Sequence, residues 1–242
     1  MDNCCRNCGV IITTVMEEVT IIYQDEAMVI VNKPAGMTVT SEGVIAGLTL
    51  ENWVNHHFPE SVVLKRHGIV HRIDKGTSGL VAIALQQQSL DNLQRQFKNR
   101  EVIKVYTALV GGNCSRVGEV KAPIGRFTGS FGKWRVKPEG KMAETSFRLE
   151  QKYRYLGKIY SLLEVRLKTG RTHQIRVHMS YLGWPLVGDR TYGGEMVAGI
   201  QRPFLHAGYL SLHHPESGER KEFSTLLAGD LVTVLKQFDA IS

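Results

Sequence analysis

Residues 67–85 read HGIVHRIDKGTSGLVAIAL, a polar segment that leads directly into an apolar run. The apolar residues 79–84 carry no charge, which predicts a buried β-strand. Just before them, Asp74 and Thr77 lie on a glycine-containing turn, the kind of place where functional side chains gather. The alternative is an Asx or capping turn made by Asp74 and Thr77 ahead of a core strand. The segment therefore predicts a strand with a candidate site at its start.

Further strands are predicted on both sides of this segment. Two short β-type runs at 21–23 and 28–31 are typical of a hairpin. Apolar or β-branched runs predict the remaining strands at 103–110, 143–151, 160–167 and 204–212. Because two alternating strands follow one another after residue 143, we expect antiparallel pairing.

Two helices are predicted from apolar residues spaced three and four apart. The first covers residues 48–58, with Thr49 as its cap. The second covers residues 89–98, is capped by Ser89 and should cover the sheet. With few helices and many strands, the expected fold class is α+β, a single domain on a curved, mixed but mostly antiparallel sheet flanked by helices and loops.

The composition indicates what type of protein this is and what kind of partner it binds. Of the 242 residues, 43% are hydrophobic and 22% charged, which fits one globular domain rather than a disordered or fibrous chain. The formal net charge of +7 favours a polyanionic partner such as nucleic acid. The apolar runs are far shorter than the roughly 18–20 residues that span a bilayer. Neither a membrane segment nor a secretion signal is expected, and the predicted location is the cytoplasm.

Three of the four cysteines, Cys4, Cys5 and Cys8, lie in an N-terminal tail of residues 1–18. This spacing does not predict a disulfide framework. Cys5 and Cys8 have the spacing of half a zinc knuckle, but no second pair completes four ligands. We therefore expect no metal site, and we place the globular domain at residues 19–242.

A second group of polar residues lies in LKTGRTHQIRVHMSYLGWPLVGDRTYGG, residues 167–194. Four candidate site residues lie in its first half, which are Arg171, His173, Arg176 and His178. An arginine here can bind phosphate or a carboxylate, and a bidentate partner would keep Asp74 ionised and lower its pKa. A nucleophile or base needs that charge at neutral pH. The two histidines are five residues apart, unlike a zinc pair on one helix face, and are interpreted as hydrogen-bonding or phosphate-contacting residues.

Much of the net charge is concentrated in residues 116–141, which contain seven basic residues and only two glutamates. The basic residues are Arg116, Lys121, Arg126, Lys133, Arg135, Lys137 and Lys141. Gly129, Gly132 and Trp134 interleave with them, as in a flexible hairpin that offers phosphate contacts and one stacking surface. A solvated charged loop is the alternative.

Four motifs together resemble the RluA family of pseudouridine synthases. They are NKPAGM at 32–37, HRIDKGTSGL at 71–80, KVYTALVGG at 104–112 and GRTHQIRVHMSYLGWPLVGDRTYGG at 170–194, in the family's order. The resemblance covers roughly residues 19–225. It implies the pseudouridine synthase fold in the form without a preceding S4-like RNA-binding domain.

The resemblance also implies roles for single residues. Asp74 becomes the catalytic aspartate, Tyr106 the tyrosine that lies against the target base and can move a proton, and Arg176 the arginine paired with Asp74. Arg72 resembles the residue that enters the RNA helix where the uridine is flipped out. The other expected RNA contacts are His71, Thr77, Arg126, Lys133, Arg135, Lys137, Arg171 and His173.

The implied reaction breaks the C1′–N1 bond of a uridine, turns the uracil and rejoins it through C5, so no cofactor is expected. The implied partner is structured rRNA or tRNA with a loop uridine, whose extraction costs least. We expect a monomer with no obligate protein partner. Asp74 can attack the sugar, remove the C2′ proton to form a glycal, or add to C6 of the base, and the sequence leaves these routes open.

Two other functions are disfavoured by the residues at the site. A catalytically idle RNA-binding protein on the same scaffold is disfavoured because phosphate binding has no use for a carboxylate such as Asp74, which repels RNA. A carboxylate glycosidase is disfavoured because hydrolysis usually needs two carboxylates and only one lies in the site motifs.

Overall fold

A computed structural model describes residues 18–40, 49–127, 129 and 133–241. Apart from residue 18, the predicted N-terminal tail with its three cysteines lies outside these ranges. Cys114 is buried in the main core and forms no disulfide. In the described part of the chain, no helix is long and apolar enough to cross a membrane.

The described residues form strands and four α-helices. The strands are β1 (Thr20–Gln24), β2 (Met28–Lys33), β3 (Ser78–Ala84), β4 (Ile103–Gly111), β5 (Val117–Arg126), β6 (Trp134–Val136), β7 (Lys141–Tyr155), β8 (Lys158–Leu167), β9 (Leu205–His213), β10 (Arg220–Ser224) and β11 (Asp239–Ile241). The helices are α1 (Leu50–His57), α2 (Gln87–Asn99), α3 (Gln174–Tyr181) and α4 (Gly229–Leu235). Short 3-10 turns lie at Pro59–Val63, Lys65–Gly68 and Arg190–Tyr192.

All the strands belong to one open sheet in the order β1-β2-β3-β9-β4-β8-β7-β5-β6, with β10 beside β9 and β11 beside β7. Only the pairing of β3 with β9 is parallel among the described strands; the others are antiparallel. The predicted N-terminal hairpin is present as β1 and β2. The prediction of a mixed but mostly antiparallel sheet is therefore confirmed.

The two predicted helices are present, and the cap of one differs from the prediction. Thr49 caps α1 as expected. Its side chain accepts a hydrogen bond from the Asn52 N–H, and the Asn52 side-chain oxygen accepts one from the Thr49 N–H. The cap predicted at Ser89 is wrong, since α2 begins at Gln87 and Ser89 is buried inside it. Gln87 and Gln88 are good helix formers, so the helix extends upstream of the serine.

Helix α2 covers one face of the sheet, as predicted. Leu90 and Leu93 pack with Leu80 of β3 and Leu210 of β9 in one apolar cluster. The opposite face carries the larger core, in which the apolar residues of α1 and α3 pack against the same central strands. The start of β3 and the facing part of β4 are thereby fixed from both sides.

Candidate active site

A cleft of about 550 Å³ opens beside the start of β3. Seven of the predicted site residues line it, which are His71, Arg72, Asp74, Thr77, Tyr106, Arg171 and His173. They come from the loop before β3, from β4 and from the loop before α3. The fold therefore brings together three of the motifs that are far apart in the sequence.

Asp74 begins a β-turn that is held from three directions. The Thr77 N–H donates to the Asp74 carbonyl at 3.0 Å, and the Gly36 N–H donates to the Lys75 carbonyl at 2.8 Å. Arg202 donates from Nη1 to the Gly76 carbonyl at 3.1 Å. The side chain of Asp74 keeps 22% of its surface exposed to the cleft. The backbone is thus fixed while the carboxylate stays accessible.

The arginine expected to pair with Asp74 has a different principal partner. Arg176 donates from Nε to Asp189 Oδ2 at 2.7 Å and from Nη2 to Oδ1 at 2.9 Å. Its Nη1 lies 3.6 Å from Asp74 Oδ2, within ion-pair range but long for a hydrogen bond. The bidentate bond considered for Asp74 is therefore formed by Asp189, and Arg176 acts on Asp74 as a nearby positive charge.

Burial and neighbouring charges set the protonation of the groups around Asp74. Burial opposes the charge of Arg176, but the bonds to Asp189 and the charge of Asp74 raise its pKa above the ordinary value. Burial and the charge of Asp74 raise the pKa of Tyr106, so its phenol stays protonated at neutral pH. The cleft therefore places a permanent cation and a neutral hydroxyl around one carboxylate.

His173 links the cleft to the basic hairpin of β5 and β6. It lies at the start of α3 in the left-handed region, with φ of 55°, and its Nδ1 is 2.8 Å from the Tyr192 hydroxyl. That hydroxyl also accepts from the Trp134 N–H at 3.1 Å. Burial lowers the pKa of His173, an effect that Asp74 partly opposes. The ring is neutral at pH 7 and holds the two elements together.

Two predicted RNA contacts are largely committed to the protein. The Nε2 atom of His71 accepts from the Ala82 N–H at 3.0 Å, and the ring stacks on Phe97 with centroids 4.6 Å apart. Burial and the charge of Lys104 lower the pKa of His71 to about 3, so it is a neutral acceptor. Thr77 is only 2% exposed. Nε2 of His71 is unavailable to RNA, and Thr77 presents little surface.

The basic hairpin residues lie outside the cleft. Arg126, Lys133 and Arg135 are exposed, and Lys137 is partly buried. The guanidinium of Arg135 lies 4.5 Å from the centroid of the Phe127 ring. These side chains form a charged surface next to the site, connected to it through Tyr192.

Three residues of the site were missed by sequence reasoning. Asp189 is in the quoted GDRTYGG motif, but nothing local links it to Arg176. Arg202 donates to Gly76 and to Ser78 Oγ and forms a bidentate pair with Asp230. Lys33 of NKPAGM is fully buried and donates to the carbonyls of Pro34 and Met37. Burial and the charge of Arg202 lower the pKa of Lys33 to about 7.

His178, the second histidine of residues 167–194, does not line the cleft. His178 is fully buried, with Nδ1 2.9 Å from Thr145 Oγ1 and Nε2 3.3 Å from the Ala122 carbonyl. It is a hydrogen-bonding residue, one of the two interpretations left open. Among the residues that the structure covers, no group of three or more His, Cys, Asp or Glu could hold a metal.

Comparison with known proteins gives a consistent set of similarities. Residues 27–181 match the family model described as RNA pseudouridylate synthase. The chain is 44% identical over 209 residues to an uncharacterized RNA pseudouridine synthase of Chloroflexus aurantiacus, covering 85% of this chain and 65% of the other. It is 38% identical to the uncharacterized RNA pseudouridine synthase YlyB of Bacillus subtilis, covering 90% and 72%.

Similarity extends to a ribosomal enzyme and to a solved structure. The ribosomal large subunit pseudouridine synthase D of Pseudomonas aeruginosa is 36% identical, with 90% of this chain and 71% of the other covered. The chain thus spans about two thirds of the length of these curated relatives, 65% to 72%. The human RNA pseudouridylate synthase domain containing 1 superposes with a TM-score of 0.73 at 29% identity, covering 94% and 90% of the two chains. The expected fold is confirmed.

Proposed function

The chain belongs to the RluA family of RNA pseudouridine synthases, and we propose that it isomerises a specific uridine of structured RNA to pseudouridine, with Asp74 as the catalytic group. The observation that carries the proposal is the position of Asp74. It is the one carboxylate among the described residues that line the cleft, and the guanidinium of Arg176 lies 3.6 Å away.

The proposed reaction needs no co-substrate or cofactor. The C1′–N1 bond breaks, the uracil turns, a C1′–C5 bond forms, the hydrogen on C5 leaves as a proton, and N1 takes up a proton. Atoms and electrons balance without a donor or an oxidant. What the protein must supply is a positioned base or nucleophile and a pocket that holds the detached uracil in place.

The residues around Asp74 suit these tasks. Arg176 keeps a positive charge next to the carboxylate, which favours the ionised form. Tyr106 presents a protonated phenol on the facing strand, where it can lie against the uracil and donate or return a proton. Arg72 lies on the cleft wall two residues before Asp74 and is exposed, and we assign it the entry into the RNA helix.

The substrate is proposed from charge and from the relatives. The cleft and the hairpin are basic, which attracts a polyanion. A uridine in a loop is the target, because extraction from the stack costs a few kcal/mol and is least for an unpaired nucleotide. Relatives named for the ribosomal large subunit favour rRNA over tRNA. A cytoplasmic location and a monomeric state remain predictions.

Tritium release tests the proposal directly. Unmodified transcripts of rRNA and tRNA, labelled with tritium at C5 of uridine, are incubated with the purified chain. Formation of the C1′–C5 bond releases the label to water, and rRNA is expected to be the better substrate. Release from tRNA alone would change the proposed substrate from rRNA to tRNA. Binding of both RNAs without release from either would favour the idle RNA-binding protein.

A further inference from the structure

The cleft contains a group of cations that the proposed chemistry does not use. Besides Arg72 and Arg171, its described lining includes Arg66, Lys98, Arg100, Lys104 and Lys168. Lys168 is paired with Glu144 at 2.8 Å. Lys104 differs from these others because it is partly buried rather than exposed, and it lies on the strand that carries Tyr106.

Lys104 is a partly buried cation whose charge no neighbouring carboxylate balances in the part of the chain that the structure describes. Its Nζ lies 5.5 Å from the centroid of the Phe97 ring. Burial alone lowers its pKa below the ordinary value. Its neighbour His71 is neutral and accepts a hydrogen bond from the backbone. A charge removed from water without a partner is costly, so a bound anion would complete the arrangement.

The position of Lys104 relative to Tyr106 suggests which anion. The two residues are two apart on β4, so they lie on the same face of the strand, about 7 Å apart along its axis. Both line the cleft. A uracil against Tyr106 and Asp74 would therefore place the phosphate of its own nucleotide within reach of a flexible lysine side chain. Asp74 is the one acidic residue in the described lining, and its carboxylate lies near Arg176.

We propose that Lys104 is the anchor of a phosphate subsite, which binds a phosphate of the nucleotide whose base lies against Tyr106. This inference rests on the proposed function for the position of the base. Arg100, which lines the same cleft, adds positive potential to the path of the strand. The lysine acts as a point charge, so a second cation can replace it in part.

Competition by small nucleotides tests the subsite. Uridine, uridine 5′-monophosphate and uridine 3′-monophosphate compete with a fluorescein-labelled twelve-residue oligouridylate for the full chain. At least one monophosphate should compete better than uridine by about 10-fold, the effect expected of one charge-assisted hydrogen bond. Lys104→Met keeps the apolar stem and removes the charge, so this preference should disappear. Lys104→Arg should retain most of it.

The matched control is Lys236→Met, which removes an exposed lysine of the same type outside the cleft. This variant should keep the preference for the monophosphate. For the oligouridylate itself, Lys104→Met should reduce the slope of log affinity against log salt by about 0.7, the value for one phosphate contact to a single strand. Lys236→Met should leave the slope unchanged.

A thermal melt separates binding from a structural role. If Lys104 mainly stabilises the fold through Phe97, Lys104→Met should melt at a lower temperature and keep the preference for the monophosphate. The subsite predicts the reverse, an unchanged or higher melting temperature with the preference abolished, because an unpartnered charge has been removed. An unchanged preference in Lys104→Met overturns the inference. A preference that depends on Lys104 in a protein that releases no tritium would keep the subsite and refute the isomerase.

Discussion

The turn that carries Asp74 and the loop that carries Asp189 present carboxylates to the same guanidinium in opposite ways. Asp189 has 1% of its side chain exposed and takes both short bonds from Arg176, whereas Asp74 is 22% exposed and lies 3.6 Å from the remaining nitrogen. The loop of Asp189 is closed by its own backbone, since the Tyr192 and Gly194 N–H groups donate to the Asp189 carbonyl.

The difference supports the proposal that Asp189 has a structural role and Asp74 a chemical one. A buried guanidinium is strongly destabilising unless a charge partner satisfies its donors. Asp189 meets that requirement within the fold. Asp74 then receives the positive potential of Arg176 without being locked by it, and its oxygens remain free to meet a substrate. Arg176 thus serves both regions, and substituting each aspartate in turn tests the distinction.

The largest expected effect follows from Asp74→Asn, which keeps the size of the side chain and removes its charge. Turnover should fall by at least about 10³-fold, because neither a nucleophile nor a base remains. RNA affinity should be unchanged or rise, since a negative charge facing a polyanion is gone. The fold should persist because Arg176 retains Asp189. The measurements are single-turnover tritium release, RNA binding and thermal melting.

The control for that variant is Asp91→Asn, which removes an exposed carboxylate from α2. It should release tritium at the rate of the unmodified chain. Release at that same rate from Asp74→Asn would show that Asp74 is not the catalytic group.

Asp189→Asn should have the reverse profile, with stability affected first. Breaking a buried ion pair leaves Arg176 uncompensated, so the free energy of unfolding should fall by about 3–5 kcal/mol. Denaturant unfolding measures it, with Asp239→Asn on the exposed part of β11 as the control. A decrease below about 1 kcal/mol would mean that Asp74 replaces Asp189 as the partner, and the contrast between the two regions would not hold.

A smaller effect is expected from Arg202→Gln, which removes the donors to the Gly76 carbonyl and to Ser78 Oγ. The turn should shift, and misplacement of Asp74 should lower kcat by about 10- to 100-fold with KM for RNA unchanged. Asp230→Asn should act in the same direction, and the two changes together should cost less than their sum because they act through one contact. A rise in KM alone would instead assign Arg202 to RNA binding.

The smallest effect on chemistry is expected at the hairpin. Neutralising Lys133, Arg135 and Lys137 together should weaken RNA binding and reduce the log-log salt slope by about 0.7–0.9 for each phosphate that the hairpin no longer binds. The rate of the bound complex should stay nearly intact. Neutralising Lys152, Arg154 and Lys236, which do not line the cleft, is the control of equal charge. An unchanged slope in the first triple variant would mean that the hairpin does not hold the RNA backbone.

Much of the sheet could be predicted because its strands bury one or both faces. β3 is buried throughout and apolar from Gly79 onward, and β7 and β8 alternate, so their residues determine strand type without reference to the rest of the chain. β5 was not predicted. It contains two glycines and Pro123, which weaken the strand pattern, and it is stabilised by its pairing with β7 over Val117–Ile124.

The site could be predicted in part. Resemblance of the motifs pointed to Asp74, Tyr106 and Arg176, whose roles stay predictions, and the family membership it suggested is confirmed. The partners that hold them were not predictable, because Arg202 reaches Gly76 from 126 residues away and no local pattern encodes such a contact. Asp189 is 13 residues from Arg176, and only the bend between α3 and its loop brings the two together.

The late position of β9 in the sequence has a consequence for the synthesis of the protein. β9 lies between β3 and β4 in the sheet, and it meets β3 where Ser78 pairs with His206 and Gly79 with Ala207. A Cβ on Gly79 would lie 2.3 Å from the Ala207 carbonyl oxygen, so only glycine permits this approach. Ser78 and His206 are 128 residues apart. At about 5–20 residues per second, the ribosome needs roughly 6–26 s to make the second after the first. During that interval the nascent chain has the motif of Asp74 but not the strand that supports it, so activity toward RNA should begin only once β9 has been synthesised and has paired with β3.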